Sequence, residues 1–225
     1  MKNRKGFRLW IFLCSLVFSL PVVCVGAGCS KDLLRKSPDV KKTWACDKAA
    51  DDAMKRKDYK AGILLHERFL EKEPGNAFAL YHLGYAHGQT GDHLKEVSYY
   101  EEAIALGFRK DRIFYNLGMA YGELNDTQKS VGAFGKALEI DPDDADNHFG
   151  LAMAYQKSAA DKLAEHEFLK AIEIDPGHVD ARLLLSLLYA DCGELQKTAE
   201  QLRKVLEIDP TNARARKFLK RIEKE

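Results

Sequence analysis

The chain has 225 residues, 31% of them charged and 46% hydrophobic, with 35 Lys and Arg against 34 Asp and Glu for a formal net charge of +1. That is the balance of an ordinary soluble protein of one or two domains, and it excludes a strongly basic nucleic-acid binder. Four of the basic residues (Lys2, Arg4, Lys5 and Arg8) fall within the first 28, which hold no acid; without them 31 basic residues face 34 acidic ones, a balance of −3.

Those first residues form an element of their own. A basic start, an apolar run from Leu9 to Leu20, then Pro21 and small residues outline a secretory signal peptide over residues 1–28. Its end, "VGAGCS", resembles the bacterial lipobox through Ala27, Gly28 and Cys29, with Gly26 where Leu is usual. The resemblance implies lipidation of Cys29 and, because Ser30 rather than Asp follows, sorting to the outer membrane with the repeats facing the periplasm. Two other readings stay open. Val25-Gly26-Ala27 suits an ordinary signal peptidase that would release a soluble periplasmic protein, and the stretch from Leu9 to Gly28 is long enough to remain as a membrane anchor. All three place the rest of the chain outside the cytoplasm. Residues 29–42 read as a tether, with Ser37-Pro38 as a helix start: Ser caps the free N–H groups and Pro fits the first helical position.

From Thr43 the chain repeats. "KALEIDP" at 136–142 returns as "KAIEIDP" at 170–176 and "KVLEIDP" at 204–210, a step of 34 residues. With Pro142, Pro176 and Pro210 taken as position 32, the frame holds without insertion from 43 to 212 and defines five units: 43–76, 77–110, 111–144, 145–178 and 179–212. Position 7 reads Ala49, Leu83, Leu117, Leu151, Leu185; position 8 is small throughout (Ala50, Gly84, Gly118, Ala152, Ser186). Position 11 reads Ala53, His87, Tyr121, Tyr155, Tyr189, and position 24 His66, Tyr100, Phe134, Phe168, Leu202. Positions 4, 7, 8 and 11 share one face of a helix, and 20, 24, 27 and 28 one face of a second. A turn such as Thr90-Gly91-Asp92 or Cys192-Gly193-Glu194 separates them, and the proline ends the second helix. Each unit is thus a helical hairpin whose apolar stripe is buried only by stacking on its neighbours. Residues 213–225 continue the helical period, with Ala215, Phe218, Leu219 and Ile222 on one side; they are expected to cap the last unit, a basic patch on lipid phosphates being the alternative.

With Leu117, Gly118, Tyr121, Phe134, Ala137 and Pro142 in place, unit 3 resembles a tetratricopeptide repeat (TPR). The resemblance implies an all-α, right-handed superhelix whose concave groove holds a partner peptide or helix. Unit 2 departs from the pattern at His87, Glu96 and Phe108, and unit 1 has a thin core of alanines and Cys46, so the N-terminal end is expected to be the looser one. In this family positions 2, 5, 9 and 12 face the groove. They supply Phe78, Tyr81, Tyr85, Arg112, Tyr115, Met119, Phe149 and Met153, a ladder suited to an apolar or amphipathic segment. The competing reading is that some of these side chains only pack against the next hairpin. The carboxylate clamp of chaperone-binding TPR domains fails in all three registers: the required Lys-Asn-Asn-Lys-Arg set is Asp47, Asp51, His82, Arg112, Asn116 in the first, Tyr81, Tyr85, Asn116, Asp146, Gly150 in the second, and Tyr115, Met119, Gly150, Asp180, Leu184 in the third.

No stretch carries the spacing of a catalytic or metal motif. "HERFL" (66–70) and "HEFLK" (166–170) lack the second His four residues on. His82, His87 and His93 do not line one helical face, and "DPDDAD" (141–146) lacks the Gly and Glu of a calcium loop. Cys14 and Cys24 would leave with the signal. Cys46 and Cys192 lie four repeat steps apart, too far for an intrachain disulfide; Cys46 reads as buried and Cys192 as exposed. No cofactor, metal or catalytic residue is expected. The sequence predicts an exported, non-enzymatic protein-binding scaffold at a bacterial envelope, similar in organisation to pilotin-type or cell-wall-organising TPR lipoproteins. A soluble periplasmic binding module or pilus-assembly accessory protein is the alternative.

Overall fold

The computed structural model describes residues 47–223; the signal peptide, Cys29, the helix start at Ser37-Pro38 and Cys46 lie outside the described residues. Among the described residues are eleven helices and no strand. They run α1 (Lys48–Lys55), α2 (Tyr59–Leu70), α3 (Ala77–Gln89), α4 (His93–Ala105), α5 (Asp111–Glu123), α6 (Thr127–Ile140), α7 (Ala145–Lys157), α8 (Asp161–Ile174), α9 (Val179–Asp191), α10 (Leu195–Ile208) and α11 (Ala213–Ile222). Successive pairs form five hairpins, each stacked on the next, and α11 packs on the last: an all-α solenoid.

The turn inside every hairpin is built by one device. Lys57, Gly91, Asn125, Ala159 and Gly193 stand 34 residues apart and all have positive φ, between 55° and 83°. The next N–H in each case returns to a carbonyl five residues back, as in Asp92 N to His87 O and Asp126 N to Tyr121 O, both 2.9 Å, which closes the first helix. That following residue then caps the second helix. Asp58, Asp92 and Asp126 accept from the N–H groups of Ala61, Lys95 and Lys129 at 3.2–3.3 Å. Ala160 occupies the same place in unit 4 and leaves α8 without a side-chain cap. Ala160→Asp is therefore expected to raise the stability of unit 4 by ~0.5–2 kcal/mol, read as a higher urea midpoint at unchanged slope.

The junctions between units vary more. Proline stands at position 32 in units 1, 3, 4 and 5, and in units 3 to 5 its carbonyl is bonded by the side chain at position 4 of the next helix: His148 Nε2 lies 3.0 Å from Pro142 O, and Arg182 Nη2 donates to Pro176 O at 3.0 Å. Arg216 repeats the bond to Pro210 O from α11. In units 4 and 5 position 4 is thus a polar bracket rather than part of the apolar face, whereas Leu80 and Phe114 fill it as core in units 2 and 3. Unit 2, with Phe108 in place of proline, ends α4 through Gly107 at φ 93°. Phe108 N bonds to Ala103 O and Gly107 N to Ile104 O, a left-handed helix end that turns the Phe108 ring inward. It is 2% exposed and stacks on Tyr81 at 5.0 Å. The departure from the repeat pattern supplies unit 2 with an aromatic core instead of thinning it.

Position 24 is the centre of each hairpin. His66, Tyr100, Phe134, Phe168 and Leu202 are all buried. The small residues at position 8 are needed for this, since a Cβ on Gly84 would sit 2.5 Å from the Tyr100 ring and one on Gly118 2.9 Å from Phe134. His87 fills the aromatic place of unit 2, stacked 5.3 Å from Tyr99. Tyr121 and Tyr189 are buried as expected, with their hydroxyls donating to Glu101 (2.5 Å) and Glu165 (2.8 Å) of the preceding unit. Tyr155 differs and is only half-buried: Gly135 stands at the place of Glu101 and Val131 at the place of Glu165, so unit 3 offers its hydroxyl neither of the two carboxylates. At the far end α11 lays Ala215, Phe218, Leu219 and Ile222 against Leu183, Leu202 and Val205.

Candidate functional site

The first helices of successive units touch, α3 with α5 and α5 with α7, so one wall of the solenoid is made of first helices alone. The eight groove candidates sit on this wall in three grades. Tyr85, 37% exposed and edge-on to Tyr59 at 6.1 Å, and Arg112 are exposed. The Arg112 guanidinium lies 5.2 Å above the Tyr115 ring and 3.6 Å from Asp146 of the next unit, which ties two units together on the wall. Tyr115, Met119, Phe149 and Met153 are half-buried. Their inner edges pack on the core, Tyr115 edge-on to Phe134 at 5.6 Å and Phe149 at 6.1 Å from Phe168, while their outer edges remain accessible. Phe78 and Tyr81 belong more to packing: Phe78 lies 4.3 Å from His82, and Tyr81 stacks on Phe108. Burial pushes the phenols of Tyr81, Tyr85 and Tyr115 upward, so all three are neutral hydrogen-bonding groups on an apolar wall.

Between α5, α6 and α7 the wall opens into a cavity of about 150 Å³. Gly118, Met119, Gly122, Phe134, Gly150 and Met153 line it, and Glu123 and Lys157 stand at its rim. Lys157 Nζ donates to Gly122 O at 2.6 Å, pinning the rim across the unit boundary. An apolar space of this size accommodates one benzene-sized group. Gly118 and Gly150 leave the space that the Phe134 ring fills, and Gly122, one helical turn after Gly118 on α5, leaves the recess beside it open; the sequence frame displayed these glycines without showing that they meet. Leu187 of α9, 41% exposed at position 9, extends the wall into unit 5.

One cluster went unseen in the spacing of histidines along the chain. Asp51 of α1, His66 of α2 and His82 of α3 bring three potential ligand atoms together across the boundary of units 1 and 2. The second histidine missing from "HERFL" is contributed by the following unit, 16 residues on. A second group joins Asp111, the first residue of α5, to Asp141 and Asp144 of the inter-repeat turn after α6, where Asp144 caps α7. Cys192 is exposed, as expected.

A stack of helical hairpins with one wall of first helices defines an α-solenoid. The repeats match sequence profiles described as tetratricopeptide repeat over residues 48–107, 112–144, 145–178 and 179–212, and the chain belongs to that family. Repeats of this family are generally protein-interaction scaffolds without catalysis. Among solved structures, YrrB, described as a TPR protein with an unusual peptide-binding site, is 23% identical, with a TM-score of 0.65 over 76% of this chain and 88% of its own. MamA is 21% identical, with a TM-score of 0.69 over 75% of this chain and 99% of its own. TTC0263, a thermophilic TPR protein of Thermus thermophilus, is 20% identical, with a TM-score of 0.62 over 78% of this chain and 96% of its own. At these identities the likeness is one of fold. No curated protein matches the chain.

Proposed function

We propose that the protein is a non-enzymatic scaffold that holds an apolar or amphipathic segment of a partner protein along the wall of first helices. The observation that carries this reading is the cavity between α5, α6 and α7, an apolar recess on a wall of accessible Tyr, Phe and Met edges. It suits one bulky side chain of a bound segment, the anchor that dominates such interfaces, while Tyr85, Arg112 and Leu187 contact the rest. The envelope location is supported by the N-terminal sequence: export by residues 1–28 and a lipid on Cys29 would hold the repeats at the outer membrane. The combination of such an anchor with TPRs is what suggests a pilus-assembly or cell-wall-organising role.

A crosslinked pull-down from bacterial membranes, with partners identified by mass spectrometry, tests the reading when run on variants. Gly122→Leu fills the cavity from a helical position where a Cβ meets only Ser130 Oγ at 3.8 Å. It is expected to lose the partner with the melting temperature held or raised, because Leu favours helix over Gly by ~1 kcal/mol. Met119→Ala is expected to weaken the same partner, whereas the buried Tyr121→Ala lowers the melting temperature. Cys29→Ser is expected to shift the protein out of the membrane fraction. Retention of every partner by Gly122→Leu would overturn the groove assignment; a mature N-terminus at Gly28 would overturn the anchor.

A further inference from the structure

One niche recurs along the stack, formed by position 9 of a unit, position 24 of the same unit and position 6 of the next. Between units 3 and 4 its residues are Met119, Phe134 and Gly150, which wall the apolar cavity. Between units 4 and 5 they are Met153, Phe168 and Leu184, packed in one apolar cluster. Between units 1 and 2 the same three positions hold Asp51, His66 and His82.

The geometry there is that of a coordination site. His66 Nε2 lies 3.0 Å from His82 Nδ1, and Asp51 Oδ1 lies 3.2 Å from His82 Nδ1 and 3.8 Å from His66 Nε2. The point equidistant from these three atoms is about 2.0 Å from each, and zinc binds nitrogen and carboxylate oxygen at ~2.0–2.2 Å. Ligands around a tetrahedral zinc stand ~3.3 Å apart, the mean of the three separations.

The protons agree with the distances. His66 Nδ1 donates to Gly62 O at 2.8 Å, which fixes the tautomer and leaves Nε2 as a bare lone pair. A histidine whose outer N–H is held by a backbone carbonyl is the usual support behind a metal ligand. Asp51 Oδ1 is buried and faces His82 Nδ1 at 3.2 Å. His82 Nδ1 carries at most one proton to offer two acceptors. Three lone-pair atoms, held by three helices, converge where only one proton is available.

We propose that Asp51, His66 and His82 form a site for a divalent transition metal, zinc by ligand type, that pins the first hairpin to the second. Two imidazoles and one carboxylate suit zinc, and three protein ligands leave the fourth position to water. The bound ion ties α1 and α2 to α3 at the end of the solenoid that carries the tether.

The test is a titration of the full-length protein, purified in mild detergent and stripped of metal by a chelator, first with Co²⁺ and then with Zn²⁺. One equivalent of Co²⁺ is expected to give the visible bands of a four-coordinate ion without thiolate charge transfer, displaced by one equivalent of Zn²⁺. Zn²⁺ is also expected to raise the melting temperature and to slow amide exchange in α1 to α3. His82→Gln and Asp51→Asn replace half-buried side chains and are each expected to abolish the bands while the metal-free protein melts as before. His166→Gln, at an exposed histidine outside the niche, keeps them. Bands that persist in both niche variants, thiolate bands in their place, or no binding at micromolar metal would overturn the proposal.

Discussion

Phe168→Ala is expected to destabilise the protein by ~3–5 kcal/mol, and Tyr155→Ala by only ~1–2 kcal/mol, although the repeat frame gives the two aromatics equal standing. Phe168 is 0% exposed and touches both its own hairpin and the next through Ala152, Ala181 and Leu185. Its removal opens a cavity that backbone-rigid helices on either side cannot close. Tyr155 keeps part of its ring in water, so truncation surrenders less buried area. Because solenoids unfold by neighbouring units and not always at once, the effect is best read locally. Amide exchange should accelerate in α8 and α9 for Phe168→Ala and stay near wild type there for Tyr155→Ala. Equal loss from the two variants would show that half-burial of Tyr155 misstates its packing.

Gly150→Ala is expected to cost ~1–3 kcal/mol despite placing a better helix former in α7. A Cβ at this position would run into Phe134 Cε1, so either the ring must shift toward the neighbouring cavity or α7 must move away from α6. Phe134→Leu in the Gly150→Ala background should recover part of the loss, a coupling of ~0.5–3 kcal/mol. Gly132→Ala and Gly135→Ala supply the contrast: a Cβ at either meets nothing within 4 Å, so both are expected to stabilise by ~0.5–1 kcal/mol. Chemically alike changes would then differ in sign according to what stands opposite. Chemical denaturation of the three glycine variants, Phe134→Leu and the double variant measures this directly.

The fold was legible because a 34-residue period fixes two helices at once. Leu117, Gly118 and Tyr121 announce the inner face of the first, and Phe134 and Ala137 that of the second. What escaped was contact between units. Tyr155 looked like Tyr121 because the frame compares each position with its own kind, whereas what the hydroxyl meets depends on the residue across the junction, Gly135 in one case and Glu101 in the other. The same blindness hid the niche of Asp51, His66 and His82. Each of the three is unremarkable in its own helix, and only positions 9, 24 and 6 taken across a boundary reveal them together. The groove ladder was legible as composition, but not the division of labour within it: Tyr81 spends its ring on Phe108, a partner that arrives through the replacement of a proline.

α11 gives the solenoid a direction. Any hairpin stack is in principle a polymer, since the trailing face of each unit is the docking face for another. Here that face is used up within the chain by Ala215, Phe218, Leu219 and Ile222, while the outer side of the helix carries exposed Arg214, Arg216, Lys217, Lys220 and Arg221. Two copies approaching by these ends would meet as like charges. With that face covered by α11, end-to-end addition of a second copy here is opposed by charge, so crowding does not lengthen the wall offered to a partner by this route.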